Sequence, residues 1–131
     1  MPVSILGINH KTAPVEMREK VAFSPDNIVK SLISLKLTAQ LDEVAIISTC
    51  NRMEIIYRSE GCMDNELQIE QKFIKVIEWL AEYHQLEKQS LLKVTYKLSG
   101  EKAIKHIMSV ACGLDSMVLG EPQILGQVKD A

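Results

Sequence analysis

Cysteine is scarce in this sequence: the 131 residues contain three, Cys50, Cys62 and Cys112. The number is odd, and no two of them have the Cys-X-X-Cys spacing of a zinc knuckle. This pattern argues against a disulfide framework and against a zinc site. It favours reduced thiols in a reducing compartment, and we predict no metal site.

Long hydrophobic runs and targeting segments are also missing. No apolar run approaches the ~20 residues that a membrane-spanning helix needs. The N-terminus lacks a basic segment followed by an apolar stretch, so no signal peptide is visible. We therefore expect a cytoplasmic protein that does not contact a membrane. The formal net charge of -2 argues against nucleic-acid binding through bulk charge, although a local basic patch is compatible with it.

A dinucleotide-binding unit is absent as well. Gly113, Gly120 and Gly126 do not form G-x-G-x-x-G, and no strand precedes them in βαβ order. The acidic residues Asp115 and Glu121 have no spacing that specifies a metal site. The sequence contains no repeats and no low-complexity segments, so one ordinary globular domain is expected from its 47% hydrophobic and 24% charged residues.

Hydrophobic periodicity and turn signals predict the order strand, helix, strand, strand, helix, strand, helix. This order is typical of an α+β fold of the ferredoxin-like split βαβ type, an antiparallel sheet with helices on one face. The predicted strands cover residues 3–8, 43–49, 54–58 and 92–98. The predicted helices cover residues 25–37, 66–84 and 99–113. A further helix beginning near residue 121 has no stop signal before the last residue, so we expect a fragment of a longer protein.

The most informative segment is Ser-Thr-Cys-Asn-Arg at residues 48–52, directly after an apolar strand. A residue at a strand end is held by a rigid element and is accessible to a substrate, which suits a catalytic group. If the chain stays extended, Cys50 and Arg52 face the same side. A nucleophile would then lie beside a guanidinium that binds carboxylates and raises the thiolate fraction. The alternative is a small buried hydrophobic residue, since free cysteine is often buried.

A catalytic thiol usually needs a base or a cationic partner, and the sequence offers three histidines. His84 ends a predicted helix, where a capping or surface role is favoured. His10 lies in a polar loop and is compatible with a site or with solvent. His106 is near an apolar helix face, where a partly buried structural histidine is the more common case. Spacing along the chain does not decide between these roles.

Three segments resemble the glutamyl-tRNA reductase family and occur in its order: GINHKTAP at 7–14, STCNR at 48–52 and GLDSMVLGEPQILGQ at 113–127. The resemblance spans the whole chain. It implies that residues 1–112 are the family's N-terminal catalytic domain. Residues 113–131 would be a substrate-contacting segment and the start of a linker helix, which leads to an NADPH-binding domain outside this chain.

The resemblance also implies an activity. The family reduces glutamyl-tRNA(Glu) to glutamate-1-semialdehyde with NADPH, through a cysteine thioester. This is the first step of five-carbon tetrapyrrole (porphyrin, heme) biosynthesis. This chain would carry only the thioester-forming half and would lack reductase activity alone. The full-length protein would be a homodimer through its C-terminal domain, with glutamate-1-semialdehyde aminomutase as a further partner.

The resemblance assigns site residues by position. Cys50 and His106 would be catalytic, and His106 would assist protonation or position the reacting carbonyl. Arg52 would hold the substrate carboxylate and Glu121 its α-ammonium group, two assignments that follow from charge. The substrate-contacting positions would be Thr49, Cys50, Asn51, Arg52, Ser116, Glu121, Pro122, Gln123 and Gln127. The competing hypothesis is a non-catalytic α+β module that binds RNA or protein and has a structural Cys50.

Overall fold

An antiparallel sheet of four strands organises the computed structural model, which describes residues 3–59 and 65–111. The strand order is β2-β3-β1-β4, and each neighbouring pair is antiparallel. The predicted α+β class with an antiparallel sheet is confirmed. The strands are β1 (Ser4–Asn9), β2 (Glu43–Ser48), β3 (Arg52–Arg58) and β4 (Tyr96–Ser99).

Five helices accompany the sheet in the described ranges: α1 (Val15–Lys20), α2 (Ile28–Thr38), α3 (Glu66–His84), α4 (Lys88–Val94) and α5 (Glu101–Ala111). The bounds of α3 match the prediction, and its start is fixed by Asn65, whose Oδ1 accepts the N–H of Leu67 at 2.8 Å. The predicted end of the last helix near Gly113 lies outside the described residues. None of the helices described here is both long and apolar enough to cross a membrane.

Three local predictions were wrong. The predicted strand over 92–98 begins only at Tyr96, because residues 88–94 form α4 and bury Leu91 in the core. A short apolar run does not distinguish a helix from a strand. Helix α1 was missed because six residues give too short a pattern. Helix α2 begins at Ile28 rather than at residue 25, since residues 24–27 form a turn in which Asn27 N–H donates to the Ser24 carbonyl at 3.1 Å.

The prediction that all helices lie on one face of the sheet is also wrong. Ile46 of β2 belongs to the main core together with Leu35 of α2 and Ile77 of α3. Its neighbour Ile47 packs instead against Val110 of α5. Successive strand residues point to opposite faces, so α5 covers the face opposite to α2 and α3. The continuous apolar run of β2, buried on both faces, reflects a sheet that is covered on both sides.

Gly7 allows a close approach across the second face of the sheet. In β1 it pairs with Glu54 of β3 on one side and with Tyr96 of β4 on the other. A Cβ atom at residue 7 would lie 2.5 Å from Cζ of Tyr96. The absence of a side chain therefore lets the Tyr96 ring lie over β1 and reach the third strand.

We expect the Gly7→Ala variant to be less stable than the parent chain. The added methyl group overlaps the Tyr96 ring, and overpacking of this kind costs about 1–3 kcal/mol in the free energy of unfolding. Urea unfolding measures the loss. Tyr96→Ala in the Gly7→Ala background removes the overlap, so the double variant should lose less stability than the two single losses combined. Additive losses would contradict this account of Gly7.

The end of α3 packs into an aromatic cluster instead of facing solvent only. The His84 ring lies 4.7 Å from the Phe23 ring and 5.0 Å from the Tyr83 ring. Burial lowers the pKa of His84, and a hydrogen bond to the backbone of Val21 partly opposes this effect. His84 is thus a partly buried packing residue that favours its neutral form.

The lowered pKa of His84 predicts a pH dependence of stability. The unfolded chain takes up a proton at this residue near the ordinary value of about 6.5, whereas the folded chain resists it. The contribution of His84 to the free energy of unfolding should therefore be intact above that pH and should be lost progressively as the pH falls below it. Urea unfolding between pH 8 and pH 5 should show a smaller loss of stability for His84→Gln than for the parent. Identical pH profiles for parent and His84→Gln would disprove the prediction.

Candidate active site

Cys50 lies at the tip of a tight turn between β2 and β3. The N–H of Thr49 donates to the carbonyl of Arg52 at 2.8 Å, which closes the turn. Oγ1 of Thr49 accepts the N–H of Asn51 at 3.2 Å and that of Arg52 at 3.3 Å. Cys50 is exposed, so its interpretation as a small buried hydrophobic residue is wrong.

The expectation that Cys50 and Arg52 point to the same side of an extended chain is also wrong. The chain turns at residues 49–51, and β3 begins at Arg52. Cys50 is exposed, whereas the Arg52 side chain is 1% exposed. Its Nη1 lies 3.6 Å from Oε1 of Glu54, which is equally buried. The guanidinium is thus directed along β3 beneath the turn.

A different arginine reaches the backbone of Cys50. Nη1 of Arg18, in α1, donates to the carbonyl oxygen of Cys50 at 3.0 Å. Arg18 lies 32 residues away in sequence, so no local motif could have indicated it. The contact places a positive charge beside the turn and holds its tip against α1.

The buried carboxylate of Glu54 contacts three polar side chains behind the turn. Oε2 of Glu54 accepts a hydrogen bond from the hydroxyl of Tyr96 and forms a second with Nε2 of His106. Its other oxygen faces Arg52. Glu54 is 1% exposed and the His106 side chain is 14% exposed. We call these four residues, Arg52, Glu54, Tyr96 and His106, the Glu54 cluster.

Tyr96 is held as a protonated donor in this cluster. Burial raises the pKa of Tyr96 far above its ordinary value, and the negative charge of Glu54 and the hydrogen bond to it act in the same direction. The charge of Arg52 and a hydrogen bond from Asn9 oppose the rise in pKa but do not overcome it. The phenol therefore keeps its proton and donates to Glu54.

The polar loop after β1 is fixed by Asn9, which is 6% exposed. Oδ1 of Asn9 accepts the N–H of Lys11 at 2.9 Å and that of Thr12 at 3.2 Å. Asn9 also pairs with Arg52 across β1 and β3. The loop that contains His10 is therefore anchored next to the Glu54 cluster through Asn9.

The structure brings together some of the site residues expected from the sequence. Thr49, Cys50, Asn51 and Arg52 share the turn or its end, and His106 lies against Glu54 just behind it. The remaining expected residues lie outside the described residues: Ser116, Glu121, Pro122, Gln123 and Gln127. Within residues 3–59 and 65–111, no three His, Cys, Asp or Glu side chains are grouped so that they could hold a metal ion.

Sequence reasoning missed Glu54 and Tyr96. Glu54 is the one charged residue between the two terminal arginines of β3, Arg-Met-Glu-Ile-Ile-Tyr-Arg. A charge among these apolar residues was the available signal, since buried carboxylates are rare unless paired. Tyr96 gave no such signal, because its place over Gly7 depends on the pairing of β1 with β4.

Comparison with known proteins gives one consistent result. The family model described as "Glutamyl-tRNAGlu reductase, N-terminal domain" matches residues 6–131. The glutamyl-tRNA reductases of Pseudoalteromonas atlantica and Shewanella denitrificans are 53% and 52% identical to this chain over 131 residues. The solved structure "Glutamyl-tRNA Reductase from Methanopyrus kandleri" matches with a TM-score of 0.61 and 26% sequence identity.

These matches cover nearly all of this chain but only a small part of each matched protein. The two bacterial matches cover 100% of this chain and 29% of each relative. The structural match covers 98% of this chain and 26% of the solved one. The chain therefore spans less than a third of the length of these relatives.

We expect Arg18→Ala to slow the alkylation of Cys50 by iodoacetamide at neutral pH. The substitution removes the cation that is bound to the Cys50 carbonyl, and with it the hydrogen bond that holds the turn. A partly exposed charge interaction is worth about 0.2–1 kcal/mol, which corresponds to a slowing of about 1.4- to fivefold. Mass spectrometry of the Cys50 peptide over time gives the rate. Lys20→Ala, which removes an exposed cation from the same helix, should leave the rate unchanged, and equal rates for all three proteins would contradict the role of Arg18.

Proposed function

Because this chain belongs to the glutamyl-tRNA reductase N-terminal domain family, we propose that it carries the thioester-forming half of glutamyl-tRNA reductase. The full reaction is the NADPH-dependent reduction of glutamyl-tRNA(Glu) to glutamate-1-semialdehyde, which opens five-carbon tetrapyrrole synthesis. The observation that carries the proposal is the exposed position of Cys50 at the tip of a fixed turn, with Arg18 at its backbone and the Glu54 cluster behind it.

The proposed chemistry is an acyl transfer from oxygen to sulfur. Sγ of Cys50 attacks the ester carbonyl of glutamyl-tRNA, so that a carbon–sulfur bond forms and the carbon–oxygen bond to the ribose breaks. The proton of the thiol goes to the ribose oxygen that leaves. A thiol at the tip of a turn suits this step, because the acceptor end of a large RNA must approach it. His106 is the proposed group for the proton transfer.

Substrate binding is proposed to use the turn and the segment beyond it. Thr49, Asn51 and Arg52 would contact the glutamyl group, and Arg52 would hold its carboxylate. A guanidinium has five N–H donors, so a contact with Glu54 is compatible with a second carboxylate at another edge. Glu121 would hold the α-ammonium group. The further contacts proposed from the family are Ser116, Pro122, Gln123 and Gln127.

NADPH binding is not proposed for the described residues. Their sheet is antiparallel throughout, whereas the usual dinucleotide fold is a parallel βαβ unit with a glycine-rich turn. We therefore assign residues 1–112 to the catalytic domain and residues 113–131 to a substrate-contacting segment and linker. NADPH binding, homodimerisation and contact with glutamate-1-semialdehyde aminomutase are proposed for the parts of a full-length cytoplasmic enzyme outside this chain.

Acylation of Cys50 tests the proposed function directly. After incubation with glutamyl-tRNA(Glu), mass spectrometry of the 131-residue chain should show the added mass of one glutamyl group on the Cys50 peptide. The adduct should be absent from Cys50→Ala and present in Cys62→Ala, and no aldehyde product should form. The proposal fails if Cys50 stays unmodified under conditions in which a full-length relative is acylated.

A further inference from the structure

Glu54 is placed where three strands and a helix meet. It pairs with Gly7 of β1, which itself pairs with Tyr96 of β4, so the three residues form one row on the face covered by α5. Because Gly7 has no side chain, the Tyr96 hydroxyl crosses β1 and reaches Oε2 of Glu54. His106 reaches the same oxygen from α5. Two side chains from different elements therefore meet at one carboxylate oxygen.

The carboxylate determines which nitrogen of His106 carries the proton. An ionised carboxylate only accepts hydrogen bonds, so beside an ionised Glu54 the contact requires Nε2 of His106 to donate. In the neutral ring the basic lone pair then belongs to Nδ1. The hydrogen bond from Tyr96 and the proximity of Arg52 keep the carboxylate in place and limit its rotation.

The cluster also lies close to the Cys50 turn along the strand. Arg52 closes the turn through its carbonyl, and Glu54 follows two residues later on the same face. Two residues of a strand span about 7 Å. Helix α5 continues from His106 to Val110, which packs on Ile47, the residue three positions before Cys50. His106 is therefore held over the end of the sheet from which the turn projects.

We propose that Glu54 and Tyr96 are positioning residues that hold His106 in its Nε2–H form, so that Nδ1 exchanges the proton during acylation of Cys50. The inference rests on the proposed function for the identity of that reaction. The thiol proton passes to Nδ1 as sulfur attacks the ester carbon, and Nδ1 returns it to the ribose oxygen as the carbon–oxygen bond breaks. Glu54 stabilises the His106 imidazolium that exists between the two transfers. Tyr96 weakens this stabilisation, because its hydroxyl donates to the same carboxylate oxygen.

The polar and ionisable side chains that contact the Glu54 carboxylate come from β3, β4 and α5. Strand β3 contributes Arg52, β4 contributes Tyr96, and α5 contributes His106. Strand β1 contributes the uncharged Gly7 and Asn9, and β2 the apolar Ile47. Removal of the Glu54 charge should therefore destabilise the imidazolium form of His106, whereas removal of the Tyr96 hydroxyl should stabilise it.

The first test is the tautomer of His106, which needs no substrate. Long-range proton–nitrogen NMR of the histidine-labelled chain at pH 8 should show His106 as the Nε2–H tautomer. Glu54→Gln should give a mixture of both tautomers, because an amide can donate as well as accept. Glu43→Gln, the same substitution at an exposed carboxylate, should leave the spectrum unchanged. An Nδ1–H tautomer in the parent chain, or the same tautomer in Glu54→Gln as in the parent, would overturn the proposal.

The second test is the pH profile of Cys50 acylation by glutamyl-tRNA. Glu54→Gln should lower the rate by about 10- to 100-fold, the range known for carboxylates that orient metal-bound histidines. It should also move the acidic limb of the profile to lower pH, since the imidazolium loses its counter-charge. Tyr96→Phe should move that limb to higher pH, because Oε2 of Glu54 then no longer accepts a competing hydrogen bond from the Tyr96 hydroxyl. Glu54→Asp should restore part of the lost rate, and Glu43→Gln should behave as the parent.

The two tests separate this inference from the proposed function. If the parent chain is not acylated, the proposed function fails, while the tautomers still decide whether Glu54 orients His106. If the parent is acylated and both variants lose rate without opposite displacement of the acidic limb, Glu54 and Tyr96 only support the fold and the inference is wrong. Should Glu54→Gln not fold, the direction of the Tyr96→Phe displacement decides the matter.

Discussion

The buried carboxylate of Glu54 is the interaction on which this side of the molecule depends. It is 1% exposed, and its charge is balanced by Arg52 and by donors from β4 and α5. A buried charge is tolerated only where it is paired and hydrogen-bonded. Loss of a single partner would leave the carboxylate poorly compensated, so the cluster constrains β3, β4 and α5 together.

The same carboxylate explains why the sheet has two different faces. On one face, α2 and α3 pack on the main hydrophobic core, which includes Leu35 and Ile77. On the other, a small apolar contact around Val110 lies beside the polar Glu54 cluster. The first face supplies most of the burial that drives folding, and this frees the second face to hold a polar group near the Cys50 turn.

The sequence allowed the α+β class with an antiparallel sheet and most element positions to be predicted, because these depend on local patterns. The helix Glu66–His84 has a long amphipathic pattern and a capping asparagine, and its bounds were predicted correctly. The strand expected over 92–98 failed because a short apolar run fits a helix equally well. The paired orientation of Cys50 and Arg52 failed because it assumed an extended chain where Thr49 in fact closes a turn.

The contacts around the candidate site could not be predicted, since they join residues that are distant in sequence. Arg18 reaches Cys50 from α1, and Tyr96 reaches Glu54 across a glycine. The first contact depends on where α1 packs and the second on strand order and register, and no local pattern encodes either. The resemblance to a family directed attention to His106, and the structure adds the carboxylate that holds it.

A double-mutant cycle between Glu54→Gln and His106→Gln, measured on the free energy of urea unfolding, determines whether Glu54 holds His106. A hydrogen bond to a buried charge predicts a coupling energy of about 1.5–3 kcal/mol between the two sites. The exposed pair Lys88 and Glu78, 3.0 Å apart, provides a reference cycle with a coupling of about 0.2–1 kcal/mol. If the effects of the two buried substitutions add to within about 0.5 kcal/mol, Glu54 does not hold His106, and the account is wrong.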